Sequence, residues 1–361
     1  MLDLYRFAGP LLRALPPETA HRLALASLAG GLAGRAKGSD NPALAIDLFG
    51  RRFPNPIGLA AGFDKDARAP DQAMALGFGF VEIGSVTPRP QSGNAGPRLF
   101  RLSEDRAVIN RMGFNSQGHA AVAARLSKTR LARRARVGIL GVNLGRNKDS
   151  EDATTDFVAG VRLFGPLADY LVVNLSSPNT PGLRAMQSRA PLEALLGRLV
   201  EARAALDGGG PPLLVKIAPD LAEDEMADIA AVTKAMRVDG LIVGNTTIAR
   251  PDTLRSRDRG EGGGLSGAPL FAPSTRVLAK VSALTGGTMP LIGCGGIASG
   301  ADAYAKIRAG ASLVQLYTAL VFDGPGLVAR IKRDLAVLLA RDGFKSVRDA
   351  VGKDTDSLSA L

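Results

Sequence analysis

The sequence predicts an α/β chain built as a (β/α)8 barrel, preceded by a helical hairpin and carrying a small inserted β-hairpin. Three observations carry this expectation. Eight short apolar runs recur after Asn41, helix-patterned stretches separate most of them, and polar or glycine-rich residues follow each run at once. Short apolar runs bounded by turn residues read as buried parallel strands, and their alternation with amphipathic stretches reads as β–α units. Ligands of such barrels sit at the C-terminal ends of the strands, so the residues after each run matter most. A doubly wound open sheet shares the alternation, yet no Gly-x-Gly-x-x-Gly follows the first run.

Composition narrows the function. At 361 residues with 46% hydrophobic content the chain is long enough for one large barrel. Aromatic residues make up 5% and tryptophan is absent, which argues against base-stacking platforms for single-stranded nucleic acid. Cys294 is the only cysteine, so no intramolecular disulfide forms and a reducing compartment fits. With only His21 and His119 beside it, neither a zinc cluster nor a Ser-His-Asp triad is expected. Lysine and arginine outnumber acidic residues 45 to 34, a net charge of +11. That excess suits an anionic partner or a solvated basic surface. Its densest run, Arg130 to Arg136, reads as the end of a helix.

The elements follow in order. Leu4, Phe7, Leu11, Leu12 and Leu15 fall at helical spacing, with Gly9-Pro10 expected to kink or restart the helix. Pro16-Pro17-Glu18 ends it and starts a second helix over Ala20 to Leu32. This pair is too short and interrupted to span a bilayer and reads as a hairpin lying on a membrane surface. The strand runs are Ile57–Ala61, Phe80–Ile83, Val137–Val142, Tyr170–Leu175, Leu213–Ile217, Leu241–Val243, Pro290–Ile292 and Leu313–Leu316. Helical stretches include Glu193–Leu206, Glu223–Met236, Thr275–Leu284 and Ala301–Ala309. Residues Arg98 to Ile109 read as the inserted hairpin. The expected organisation is a helical segment over 1–40, the barrel over 41–340, and a polar tail over 341–361.

The strand ends hold the chemistry. They give Ala61-Gly62-Phe63-Asp64-Lys65, Ser85, Asn143, Asn174 with Ser177 and Asn179, Lys216, Gly244-Asn245-Thr246, Cys294-Gly295-Gly296 and Tyr317-Thr318, and the inserted hairpin ends in Asn110-Arg111-Met112-Gly113-Phe114. Carboxamides present donor and acceptor side by side, so a ring of them suits a flat heterocycle with amide edges. Lysines supply positive charge for a carboxylate or an electron-rich ring. Glycines after the seventh strand, and the turn after the eighth, fall where barrels bind phosphate. The pattern is that of a planar phosphorylated cofactor stacked on a planar polar substrate.

Together these motifs resemble the dihydroorotate dehydrogenase family, from about His21 to about Asp323. The N-terminal helical segment, and Ser177 where soluble relatives place a cysteine, are similar to its membrane-associated, quinone-linked class 2. The resemblance implies a TIM-barrel flavoprotein that oxidises (S)-dihydroorotate to orotate in pyrimidine biosynthesis and passes the electrons to a membrane quinone. It implies FMN as cofactor, held by Ala61, Gly62, Phe63, Asp64, Lys65, Ser85, Asn143, Asn174, Lys216, Gly244, Gly267, Gly296, Tyr317 and Thr318. Gly244 stands where relatives often carry a threonine, so only its backbone can serve; Ser85 replaces another threonine and keeps the hydroxyl. Substrate contacts are implied for Lys65, Asn110, Arg111, Met112, Gly113, Phe114, Asn174, Asn179, Asn245 and Thr246, with Ser177 as general base. Lys216 would stabilise negative charge on the reduced flavin. His21, Arg101 and Tyr317 match the quinone tunnel. The expected state is a monomer without metal or nucleic acid, held peripherally on anionic lipid at the cytoplasmic side of a bacterial-type inner membrane.

Three rival readings remain at the level of sequence: a soluble dihydroorotate dehydrogenase using fumarate or NAD, a tRNA dihydrouridine synthase, and a non-catalytic membrane-surface protein. Ser177 and the helical hairpin oppose the first, dispersed basic residues oppose the second, and bound FMN would oppose the third. Deleting residues 1–35 is expected to abolish quinone reduction while leaving dihydroorotate-dependent flavin reduction. Normal quinone turnover by the shortened chain would refute the tunnel assignment.

Overall fold

The computed structural model describes residues 5–133, 138–180 and 182–360. Leu4, Arg134, Arg136 and Val137, which enter the expectations above, lie outside the described residues. Eight parallel strands close into a barrel in simple sequential order. They are β1 (Ile57–Leu59), β2 (Phe80–Val86), β3 (Ile139–Leu144), β4 (Tyr170–Asn174), β5 (Leu213–Ile217), β6 (Gly240–Val243), β7 (Leu291–Cys294) and β8 (Leu313–Leu316). All of β2 through β5 is buried, which is why these runs are mostly apolar rather than alternating.

Aromatic rings fill the N-terminal end of the barrel. Phe53 meets Phe80 edge-on at 5.5 Å, and Phe80 lies 6.3 Å from Tyr170. Glycines on the strands make room for them: a Cβ at Gly58 would fall 2.2 Å from the Phe80 ring, and one at Gly141 would fall 2.1 Å from Tyr170. Phe53 arrives on a two-stranded hairpin, Ile46–Leu48 with Arg51–Phe53, turned by Phe49-Gly50. Both turn residues have positive φ, 55° and 66°, as a two-residue hairpin turn requires. No strand is expected here from the apolar pattern.

The inserted hairpin, Leu99–Leu102 with Ala107–Asn110, is present but forms part of a larger unit. A third strand, Gly264–Gly267, pairs antiparallel with Ala107–Asn110, and the three strands share a small core with Phe100, Leu102, Ile109 and Leu265. Gly264-Leu265-Ser266-Gly267 carries one large apolar side chain, too little for a strand signal in sequence.

At the N-terminus, α1 (Tyr5–Ala14) runs through Gly9-Pro10 as one helix and does not restart there. The Tyr5 ring lies against Gly9, where a Cβ would come within 2.8 Å of it. α2 (Pro17–Ala29) begins as expected, with Pro17 in its first turn. The pair is tied to the barrel by Tyr5 Oη donating to Val321 O (2.7 Å) and by Arg13 donating to Phe322 O (3.3 Å). It is tied to the added sheet by Arg98, which donates to both Glu18 oxygens (2.7 and 3.2 Å). Phe7 and Leu11 are 77% and 74% exposed. No helix among the described residues is long and apolar enough to cross a membrane.

Beyond Leu327–Arg341, the residues expected as a polar tail fold into two short helices, Val347–Ala350 and Thr355–Ser359. Val347 and Ala350 are fully buried, and Asp354 accepts two 2.5 Å hydrogen bonds from Arg308.

Gly141→Ala is expected to destabilise the protein by about 1–3 kcal/mol, because the added methyl must displace the fully buried Tyr170 ring. Chemical denaturation measures this directly. An unchanged midpoint would mean the ring has room to move.

Candidate active site

One continuous cavity of about 1070 Å³ opens over the C-terminal ends of the strands and extends to the helix pair. Lys216, Asn174, Ser177, Lys65, Tyr317 and His21 all line it. So does Leu32, which is 79% exposed and therefore marks its mouth.

The floor rests on a buried polar chain that begins at Glu82 on β2. Its carboxylate accepts from Tyr170 Oη (3.1 Å), Gln315 Nε2 (2.6 Å) and Asn143 Nδ2 (2.8 Å). Burial and the adjacent carboxylate push the Tyr170 hydroxyl far above its usual pKa, so it remains a donor. With its amide nitrogen committed to Glu82, Asn143 turns Oδ1 toward Ser85 and Asn174. Ser85 Oγ donates to that oxygen, and Asn174 Nδ2 donates to Ser85 Oγ (2.9 Å) and Asn143 Oδ1 (3.2 Å). Asn174 Oδ1 accepts from Ser176 Oγ (2.8 Å), which in turn accepts from Asn245 Nδ2 (2.8 Å). Asn245 Oδ1 accepts the Thr246 amide at 2.8 Å. The chain thus fixes the carboxamides of Asn143, Asn174 and Asn245 in one orientation each.

Two lysines bring charge. Lys216 is buried on β5, and among the described residues no hydrogen bond or ion pair is formed by its ammonium. Burial, and next the neighbouring Arg98, lowers the pKa of Lys65 to about 8. Among the described residues neither ammonium forms an ion pair, and two such groups facing one cavity suit an anionic or electron-rich ligand. At Gly296 (φ 75°) a Cβ would come within 2.5 Å of the Phe271 backbone, so only glycine lets the turn approach that helix. Gly244 has φ 114°, and a Cβ there would meet Cys294 O at 2.3 Å. A side chain at this position would require the backbone to shift, so only the main chain serves there.

Across the cavity, Ser177 is buried and its Oγ accepts the Asn179 amide at 3.3 Å. Asn179 Nδ2 donates to Asn110 O at 3.1 Å, joining the β4 loop to the added sheet. Met112, Gly113 and Phe114 line the cavity. Arg111 does not: its guanidinium stacks 4.5 Å over Phe100 and donates to Glu261 at 2.7 Å. Asp64 also stands behind the wall, accepting the amides of Arg68 (2.8 Å) and Ala69 (2.7 Å), with its pKa raised by burial. Asn143 and Gly244 likewise act from behind the lining. Asn94 and Gln91, which no sequence motif singles out, hold the 110–115 loop by donating to Arg111 O (2.9 Å) and Phe114 O (2.8 Å). Sequence reasoning misses Glu82 and Ser176 as well. Both sit in or beside apolar runs, and only the closed barrel shows what they touch.

Toward α2 the wall becomes aromatic. His21, Phe63 and Tyr317 form a ring cluster, with Phe63 5.5 Å from each of the other two. Tyr317 Oη lies 3.4 Å from His21 Nδ1. Burial, and next the charge on Lys65, lowers the pKa of His21 to about 4, so the imidazole is neutral at pH 7. Arg101 Nη1 donates to Arg13 O at 2.5 Å, while its buried Nε meets no partner among the described residues.

Comparison with known proteins follows the same lines. A family model described as dihydroorotate dehydrogenase matches residues 43–339. The chain is 60% identical over 358 residues to a dihydroorotate dehydrogenase (quinone) of Rhodospirillum rubrum, covering 98% of this chain and 95% of the relative. It is 54% identical to the mitochondrial enzyme of that name from Mus musculus, covering 95% and 88%. A crystal structure of the Eimeria tenella protein in complex with ferulenol superimposes with a TM-score of 0.92 at 43% identity, over 95% of this chain and 98% of that one.

His21 generates a pH prediction. Its folded pKa lies below that of an unfolded histidine, so the unfolded chain binds more protons between about pH 6.5 and pH 4. Its contribution to stability is present above about pH 6.5 and is lost as pH falls through that window. Thermal midpoints across it should decline less steeply for His21→Gln than for the parent. Identical slopes would show that His21 protonates freely in the folded state.

Proposed function

Because the chain belongs to the dihydroorotate dehydrogenase family, we propose a role for each group along its single cavity. The protein is a flavin-dependent oxidoreductase that oxidises dihydroorotate to orotate, with a quinone as acceptor, in pyrimidine biosynthesis. The flavin of this reading is FMN. Unpartnered Lys216, the carboxamide of Asn174, held from behind by Asn143, and the glycine turn at Gly295-Gly296 fit a planar phosphorylated ring system, and Ala61, Gly62, Ser85, Gly267, Tyr317 and Thr318 complete its surroundings. FMN, when bound, supplies the acceptor for the hydride from C6 of dihydroorotate and the route for its electrons to the quinone.

The chain's own residues do the rest. Lys65 anchors the substrate carboxylate, and Asn110, Asn174, Asn179 and Asn245 hold the amide edges of the pyrimidine, a role for which their fixed orientations suit them. Ser177 takes the proton from C5. A serine hydroxyl is a weak base in water, and its burial beside the Asn179 amide provides the dry, fixed setting that proton removal requires. Lys216 would oppose negative charge on a bound flavin. His21, Arg101 and Tyr317 bound the far end of the cavity, where the quinone head group binds. The exposed Phe7, Leu11, Leu23 and Leu32 support peripheral seating in a lipid surface, with Arg13, Arg22, Arg35 and Lys37 drawing the segment to anionic headgroups. In a bacterium the seat belonging to this reading is the cytoplasmic face of the inner membrane. The reading takes the enzyme as a monomer.

The observation that carries this reading is the continuity of the cavity from Lys216 to Leu32. Its test is anaerobic addition of dihydroorotate to the purified protein. The flavin band should bleach, then recover with a short-chain quinone but not with fumarate or NAD. Absence of bleaching in an FMN-loaded sample would overturn it. Ser177→Ala should keep FMN yet bleach about 10²- to 10⁴-fold more slowly, the usual worth of a positioned base; an unchanged rate would remove Ser177 from that role.

A further inference from the structure

Lys306 lies on the helix Gly300–Arg308 after β7, and its side chain is fully buried. Its ammonium donates to Ser274 Oγ (2.8 Å) and Thr275 Oγ1 (3.0 Å) and lies 5.3 Å from the centre of the Phe271 ring. Among the described residues no carboxylate forms an ion pair with it. The acid nearest in sequence, Asp302, is engaged with the Ala298 amide at 3.0 Å. Burial pushes its pKa down to about 7, against smaller opposing effects of Cys294 and Asp302. A buried cation answered only by hydroxyls is costly, and packing does not require one: an apolar side chain of equal length would fill the space.

What surrounds the ammonium gives it a use. Ser274 and Thr275 sit in the first turns of the helix Phe271–Leu284; the Ser274 hydroxyl donates to Leu270 O at 2.7 Å, and its Oγ packs 3.3 Å from Gly295 O. A Cβ at Gly295 would fall 2.7 Å from Ser274 Oγ, and the Gly296 turn presses on Phe271. Lys306, the start of this helix and the Gly295-Gly296 turn are therefore stacked in direct succession, and the turn forms cavity wall on its other side. Arg106, a cation also lining this region, is already engaged with Asp323.

We propose that Lys306 is a positioning residue for the cofactor phosphate: it holds the Gly295-Gly296 turn through Ser274 and supplies counter-charge to the phosphate from behind, without touching it. The inference rests on the reading that a flavin phosphate binds that turn. It makes Lys306 a determinant of preference for phosphorylated over unphosphorylated flavin.

The test titrates the full-length apoprotein with FMN and with riboflavin, following flavin fluorescence. The parent should bind FMN the more tightly. Lys306→Met, which keeps the stem and removes the charge, should weaken FMN binding at least ten-fold, change riboflavin binding less than two-fold, and leave the thermal midpoint of the apoprotein equal or higher. Unchanged FMN affinity, or equal losses for both flavins, would overturn the proposal. Should Lys306→Met fail to fold, Ser274→Ala breaks the link to Gly295 with the charge retained. It should weaken FMN binding about three-fold and spare riboflavin; no loss, or a shared one, overturns the proposal. A parent protein that does not distinguish the two flavins would instead refute the placement of the phosphate.

Discussion

The site is organised by a carboxylate buried inside the barrel. Glu82 cannot stay there without donors around it, because an unsatisfied charge in such surroundings costs several kcal/mol. Tyr170, Gln315 and Asn143 supply those donors from three different strands. Once Asn143 is committed to Glu82, its oxygen can only face Ser85 and Asn174. From there the orientation passes to Ser176, Asn245 and Thr246. Carboxamides are ambiguous recognition groups because either end can face a ligand; the buried acid removes that ambiguity at several positions at once. Strand closure and ligand specificity are thus one constraint.

The second organising contact lies between parts distant in sequence. Arg98 pairs with Glu18 and also donates to the carbonyls of Ser92 (2.6 Å) and Asn94 (2.9 Å). Asn94 then holds Arg111 O, in the loop beside the proposed substrate position. The N-terminal helix is in this way joined to that loop by a few charge-assisted hydrogen bonds. The two ends of the cavity are assembled around the same arginine.

Much of this organisation is legible in the order of the amino acids. All eight barrel strands are readable as apolar runs, because a strand buried on both faces needs no alternation and turn residues bound it sharply. The polar strand ends are readable for the same reason: nothing in an apolar run explains an asparagine or lysine at its edge. The features that are not legible depend on contacts made far along the chain. Gly264–Gly267 is a strand only because Ala107–Asn110 lies beside it. The Phe49-Gly50 turn puts a bulky residue at positive φ, against local preference, because Phe49 lies 6.4 Å from Phe53 in the aromatic floor. Glu82 stands inside Phe-Val-Glu-Ile, where sequence alone gives it no partner. Arg111 adjoins residues that face the cavity, yet its own side chain leaves for Phe100 and Glu261, a direction that spacing does not reveal. Lys306 reads in sequence as one more helical lysine, and only its burial sets it apart.

The position of the cavity mouth has a consequence for how the acceptor is counted. Leu32, in the turn after α2, borders the opening and is itself exposed, with Phe7 and Leu11 exposed on α1. If that surface lies in lipid, the acceptor arrives by lateral diffusion within a film and not from bulk solution. The quantity that sets its supply is then the number of quinones per lipid. Diluting a suspension of membranes leaves that ratio untouched, whereas adding inert lipid or detergent lowers it, so an apparent affinity in molar units would describe the amphiphile as much as the protein.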